Sequence, residues 1–173
     1  MVDFVKIAIT LPGDVVDEPA RIMNLLDNGF WRVHIRKPDW SLDEVEQLIK
    51  KIGCKYRSRL VLHDKHALAV TYSLAGVHLN RRNPVNHTGL PASVSCHSVE
   101  ELDLYPHACY RFLSPIYDSI SKVGYKSAFN LSDIRTYVAG KNVVALGGVV
   151  PDRFEELRAA GFIGAAMMGA AFG

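Results

Sequence analysis

Eight short apolar or β-branched runs, separated by stretches of helical periodicity, constrain the fold of this chain more than any other feature. The runs lie at 6–10, 31–36, 60–64, 76–79, 93–97, 110–114, 143–146 and 164–168. Such alternation marks βαβ units on a parallel sheet, because parallel neighbours need a crossover long enough to hold a helix. Eight parallel strands can close on themselves, so the expected fold is α/β: a small (βα)8 TIM barrel whose last helix is short or missing. Helical periodicity is expected at 17–28, 41–52, about 98–104, 131–139 and 152–160. Ser41, followed by Asp43, Glu44 and the stripe Val45, Leu48, Ile49, Ile52, predicts a capped amphipathic helix that Gly53 ends. Pro151 and Asp152 open a later helix that Ala160-Gly161 closes. Only Gly169 to Gly173 follow the eighth strand. The outer face of strands one and eight is therefore expected to lie uncovered, a candidate surface for a homo-oligomer.

With 173 residues, 49% of them hydrophobic and 22% charged, a single barrel domain over residues 1–173 is expected. Net charge is +2 and the cations are scattered, which argues against nucleic acid and for a small-molecule partner. Cys54, Cys96 and Cys109 form no C-x-x-C pair and are odd in number, so a disulfide framework or zinc knuckle is disfavoured. The first residues hold no apolar signal segment, and no run of about eighteen apolar residues could span a bilayer. The expected setting is the cytoplasm, with no membrane partner.

Strand alternation separates His34 and Arg36 from Val33 and Ile35, and puts Ser93, Ser95 and His97 opposite Val94 and Cys96. His78 and Asn80 likewise share a side. Three strands thus send polar groups toward the barrel axis, where they need hydrogen-bonded partners or a ligand. Gly147 and Gly148 end strand seven and Gly169 ends strand eight, where backbone N–H groups of such barrels can approach a phosphate. A tight βα turn would use Gly147 and Gly148 equally well. After strand six, the segment from Ser114 to Lys126 carries Ser119, Ser121, Lys122 and Gly124, the chemistry of a loop that folds over a charged ligand.

In this order, Val33-His34-Ile35-Arg36, Arg59-Leu60-Val61-Leu62, Gly76-Val77-His78-Leu79, Ser93 to Glu101, the loop with Lys122, Ala145-Leu146-Gly147-Gly148-Val149 and Ala160 to Ala165 resemble the thiamine-phosphate synthase and TenI superfamily of barrels. That resemblance implies one of two chemistries. The synthase joins hydroxymethylpyrimidine diphosphate to hydroxyethylthiazole phosphate, with magnesium held by two aspartates at the departing pyrophosphate. TenI-type enzymes isomerise a carboxythiazole phosphate to its aromatic tautomer and need no cofactor. Asp64 matches the first metal aspartate, whereas the second falls on Asn83, a neutral and poorer magnesium ligand. A pyrimidine-reading asparagine becomes His63, a glutamine becomes His34, and a basic residue becomes Pro38.

These departures favour tautomerisation of a phosphorylated thiazole. On that reading His97 moves the proton, since an imidazole can both take and return one near neutrality. Ser95 orients it, while Arg36, His34, His63, Ser119, Ser121, Lys122, Gly147, Gly148 and Gly169 bind substrate. The alternatives are synthase activity, with magnesium on Asp64 and a pyrimidine diphosphate as second substrate, a non-catalytic binder of thiamin precursors, and a metal-dependent hydrolase using His34, His63, His78 and His97. The last ranks lowest, because no His-x-His pair closes a strand.

Overall fold

The structure is a computed structural model and describes residues 4–118 and 129–172. Its strands are β1 (Val5–Ile9), β2 (Arg32–Ile35), β3 (Leu60–Leu62), β4 (Gly76–Leu79), β5 (Ala92–Cys96), β6 (Arg111–Leu113), β7 (Val143–Leu146) and β8 (Gly164–Met167). Each pairs in parallel with the next, and β8 returns to β1, so the sheet is a closed eight-stranded barrel. The helices are α1 (Glu18–Asp27), α2 (Leu42–Lys51), α3 (Ala67–Thr71), α4 (Leu131–Val138), α5 (Phe154–Ala159) and α6 (Gly169–Phe172). Four strands, β2, β3, β6 and β8, run shorter than their apolar patterns. β3 in particular stops at Leu62, leaving His63 and Asp64 on the loop above it. The stretch at 98–104 is a 3₁₀ turn over Glu100–Leu104, and α3 had no sequence signal beyond five residues of modest propensity.

Local grammar explains the better-formed helices. Ser41 caps α2 reciprocally: its hydroxyl accepts from the Glu44 amide at 3.2 Å, while the Glu44 carboxylate accepts from the Ser41 amide at 2.7 Å. Val45, Leu48 and Ile49 of α2 pack with Val33, Ile35, Leu60 and Leu62 in the helix–sheet core of the first half-barrel. Val94, Cys96, Leu113, Val143 and Ala145 do the same under α4 and α5 in the second half. Inside the barrel, Ile7, Ile9, Phe112, Val144 and Ala166 form the apolar part of the lumen. β8 can lie against β1 because Gly164 faces Val5, where a Cβ would collide with the Val5 backbone.

The short α6 revises the expected open face. Phe172 is buried in the first core, its carbonyl accepts from Arg21 at 2.9 Å, and Phe4 packs on Phe154 at 5.4 Å. No helix among the described residues is long and apolar enough to cross a membrane.

Candidate active site

The carboxyl ends of the strands surround a cavity of about 470 Å³, a size suited to a small ligand. Its wall includes Ile9, Arg36, His63, Asn80, Arg81, Arg82, Ser95, His97, Glu101, Phe112, Leu146 and Met168. Every strand except β6 ends in or just before a residue of this wall, and β6 contributes Phe112 from within it.

Arg36 reaches the cavity because the backbone around it is pinned from both sides. Its amide donates to the Thr10 hydroxyl at 2.9 Å. The next side chain, Lys37, turns the opposite way and is wholly buried, 2.8 Å from the Glu18 carboxylate and 4.4 Å from the Trp40 ring. It also donates to the Gly13 carbonyl at 2.5 Å. Burial pushes the Glu18 carboxyl up, and the Lys37 ammonium opposes that. Neither Lys37 nor Glu18 carried a sequence signal.

Three imidazoles, His34 on β2, His78 on β4 and His63 just above β3, fill the polar half of the lumen, and His63 reaches the cavity wall. His34 Nδ1 lies 2.9 Å from His63 Nε2, and His34 Nε2 lies 2.7 Å from the Tyr110 hydroxyl. His78 sits between Ser93 and Ser95, with both serine hydroxyls at 2.8 Å from its ring nitrogens. The His63 and His78 rings stack at 4.1 Å. Burial first, then the neighbouring His78, holds His34 and His63 well below the ordinary histidine range; burial brings His78 down to about 3. All three are therefore neutral at physiological pH.

Each of the three presents a ring nitrogen within 4.8 Å of the others, a spacing that a transition metal could use. The hydrogen bonds just described already give those nitrogens partners. His97 lies outside this group among the described residues, so the four-histidine hydrolase set does not assemble.

Two expected site residues are thereby relocated. His34 is 0% exposed and absent from the cavity wall, so it supports His63 instead of meeting a ligand. Ser95 lines the cavity but its hydroxyl is bonded to His78, so it does not orient His97. Both share one strand face, yet they differ in depth, and alternation does not encode depth. His97 itself is exposed at the rim. Its Nδ1 lies 3.2 Å from the Ser114 carbonyl, a position that suits an Nδ1–H donor, and 3.4 Å from the Ser114 hydroxyl. Its amide donates to Glu101 at 2.7 Å.

The loop after β4 supplies the next cations. Asn80 accepts from the amides of Arg82 and Asn83 at 2.9 and 3.1 Å, and donates to the His63 carbonyl at 2.9 Å. This knot folds Arg82 back on Asp64: Nε lies 3.2 Å from Oδ1 and one Nη 3.3 Å from Oδ2. Asn83 donates to the same Oδ1 at 2.8 Å. Among the described wall residues, three guanidiniums face one carboxylate, Glu101, whose oxygen already holds the His97 amide. The cavity thus favours an anion.

Gly147 and Gly148 adopt φ 92° and 63°, and a Cβ on either would strike the backbone between Pro115 and Asp118. Their freedom is needed where the strand-six loop crosses them; the Tyr117 amide donates to the Gly147 carbonyl at 3.0 Å. Leu146 and Met168, the residues preceding Gly147 and Gly169, line the cavity. Ser119, Ser121 and Lys122 lie outside the described residues.

The magnesium that the resemblance implies does not suit this arrangement. Mg²⁺ takes oxygen ligands in near-octahedral order. Both Asp64 oxygens face N–H donors, and Asn83 turns its NH₂ toward Asp64.

A closed parallel barrel with a cationic cavity at its carboxyl rim defines a small-molecule enzyme scaffold of the phosphate-handling kind. A model of the thiamine monophosphate synthase family matches residues 7–171, and the chain belongs to that family. It is 29% identical over 154 residues to a thiamine-phosphate synthase of Serratia proteamaculans, covering 80% of this chain and 73% of that one. An Escherichia coli thiamine-phosphate synthase is 29% identical over 150 residues, 78% of this chain and 71% of its own. The solved thiamine phosphate pyrophosphorylase of Bacteroides thetaiotaomicron superposes with a TM-score of 0.85 at 34% identity, over 96% of this chain and 84% of that one. The corresponding Pyrococcus furiosus protein, at 20% identity and a TM-score of 0.78 over 96% of this chain and 86% of its own, shares the fold.

Proposed function

We propose that the chain is a thiamine-phosphate synthase, joining hydroxymethylpyrimidine diphosphate to hydroxyethylthiazole phosphate and releasing pyrophosphate. The names of the matched relatives support this over the isomerase reading that the substitutions at His34, His63, Pro38 and Asn83 favour. The observation that carries it is the gathering of Arg36, Arg81 and Arg82 around one cavity, as two phosphorylated substrates require. In the reaction the thiazole nitrogen attacks the pyrimidine methylene carbon. The C–O bond to the diphosphate breaks, and its electron pair leaves with pyrophosphate. Arg36 and Arg82 stabilise that growing charge, and the apolar floor of Phe112, Leu146 and Met168 excludes water from the reacting carbon.

Purified protein supplied with both substrates is expected to form thiamin phosphate, read by chromatography. Absence of product, with and without magnesium, would overturn the assignment.

His97 favours the second reading, isomerisation of a carboxythiazole phosphate. It lines the cavity while its Nδ1 lies against the Ser114 carbonyl, an orientation that suits a proton-transfer base acting through Nε2. Turnover of that thiazole in place of thiamin phosphate formation would select it.

A further inference from the structure

We propose that Arg82, braced by Asp64, is the phosphate- or diphosphate-binding cation of the rim, so that this site takes its anion without a divalent metal. The inference rests on the synthase reading for its ligand but not for its geometry.

The carboxylate of Asp64 is nine-tenths buried, and both of its oxygens are engaged, by two guanidinium nitrogens and by Asn83. A metal ion there would compete with the Arg82 guanidinium and would meet the NH₂ of Asn83 instead of its oxygen. The Arg82 backbone is placed by the Asn80 side chain, which accepts from its amide and is tied to the His63 carbonyl, and the Asp64 pair holds the guanidinium itself. A second pair of backbone bonds between Asn80 and Asn83, at 3.2 and 3.1 Å, closes the loop on itself. The guanidinium is therefore presented in a fixed place, half exposed, on the wall of the cavity.

A guanidinium has five N–H donors. Asp64 uses Nε and one hydrogen of an Nη, which leaves the second edge of the fork for a ligand. That edge matches two oxygens of a phosphoryl group side by side. Carboxylate, cation and anion then lie in series, the order a carboxylate-held metal would give, with one positive charge where a metal brings two. Arg36 across the same cavity supplies another.

The probe is inorganic pyrophosphate, titrated calorimetrically into the purified protein in EDTA and again in excess Mg²⁺. Wild type is expected to bind with affinities within about threefold of each other in the two buffers. Arg82→Gln is expected to lose tenfold or more in EDTA, and Arg82→Lys to recover part of that loss. Thermal midpoints of both variants confirm folding. Binding seen only with Mg²⁺ and abolished in Asp64→Asn would overturn the proposal, because Asp64 would then be recruiting a metal; synthase activity would survive that result. Undetectable pyrophosphate binding in EDTA overturns it too. Metal-independent binding lost in Arg82→Gln, with no thiamin phosphate formed, would support the anion site and sink the synthase reading alone.

Discussion

The lumen beneath the cavity and the rim above it are built from similar residue types and behave as opposites. In the lumen, His34, His63 and His78 have their charges suppressed by burial and their nitrogens matched to one another, to Tyr110 and to two serines. At the rim, His97 and Arg82 are each held by one edge, His97 by Ser114 and Arg82 by Asp64, and both line the cavity. A satisfied polar group stabilises a fold, and a half-satisfied one is available for chemistry. Depth along a strand, a matter of one or two residues, decides which a histidine becomes.

Acid should separate the two regions most strongly. The unfolded chain protonates the three lumen histidines below about pH 6.5, while the folded barrel keeps them neutral, so the unfolded state binds more protons and stability falls as pH falls. The loss should reach at most about 6 kcal/mol between pH 7.5 and 5, about 2 for each histidine. Urea unfolding at several pH values measures it. A flat profile over this range would mean the lumen histidines are not sealed.

Lys37→Met should cost about 3–5 kcal/mol by stranding the buried Glu18 carboxylate, and adding Glu18→Leu should recover most of it. If the rim depends on this anchor for Arg36, pyrophosphate affinity should fall with the single variant and return with the pair. Tyr110→Phe, which leaves His34 Nε2 without its hydroxyl, should destabilise by about 1–3 kcal/mol with ligand affinity at the rim unchanged. The smallest stability effect belongs to His97→Gln, within about 0.5 kcal/mol of wild type. If the isomerase reading holds, its thiazole turnover should nonetheless drop about a hundredfold or more. A variant equal to wild type in rate would take His97 out of proton transfer.

The strand pattern alone gave the barrel and the inward direction of His34, His78, Ser93 and Ser95, because period-two alternation reports which face a residue occupies. It could not report depth, which is why His34 was expected at a ligand and Ser95 at His97. Arg82 and Asn80 sit on a loop, where no periodicity exists, and the Arg82–Asp64 pairing is a contact across eighteen residues that only the fold brings about. The resemblance flagged Asp64 and Asn83 as an altered metal pair; that an arginine would claim the carboxylate had no local signature. Lys37 shows the reverse, a residue whose charge suggested solvent and whose position is the dry side of β2.

The two tryptophans bracket one strand. Trp31 precedes β2 at the floor, stacked by Arg32 at 4.1 Å and edge-on to Tyr110 at 5.4 Å, and Trp40 follows it at the mouth beside Lys37. Intrinsic fluorescence from single-tryptophan variants therefore offers separate optical reporters for the bottom and the top of the barrel, able to tell whether the two ends open together or one before the other.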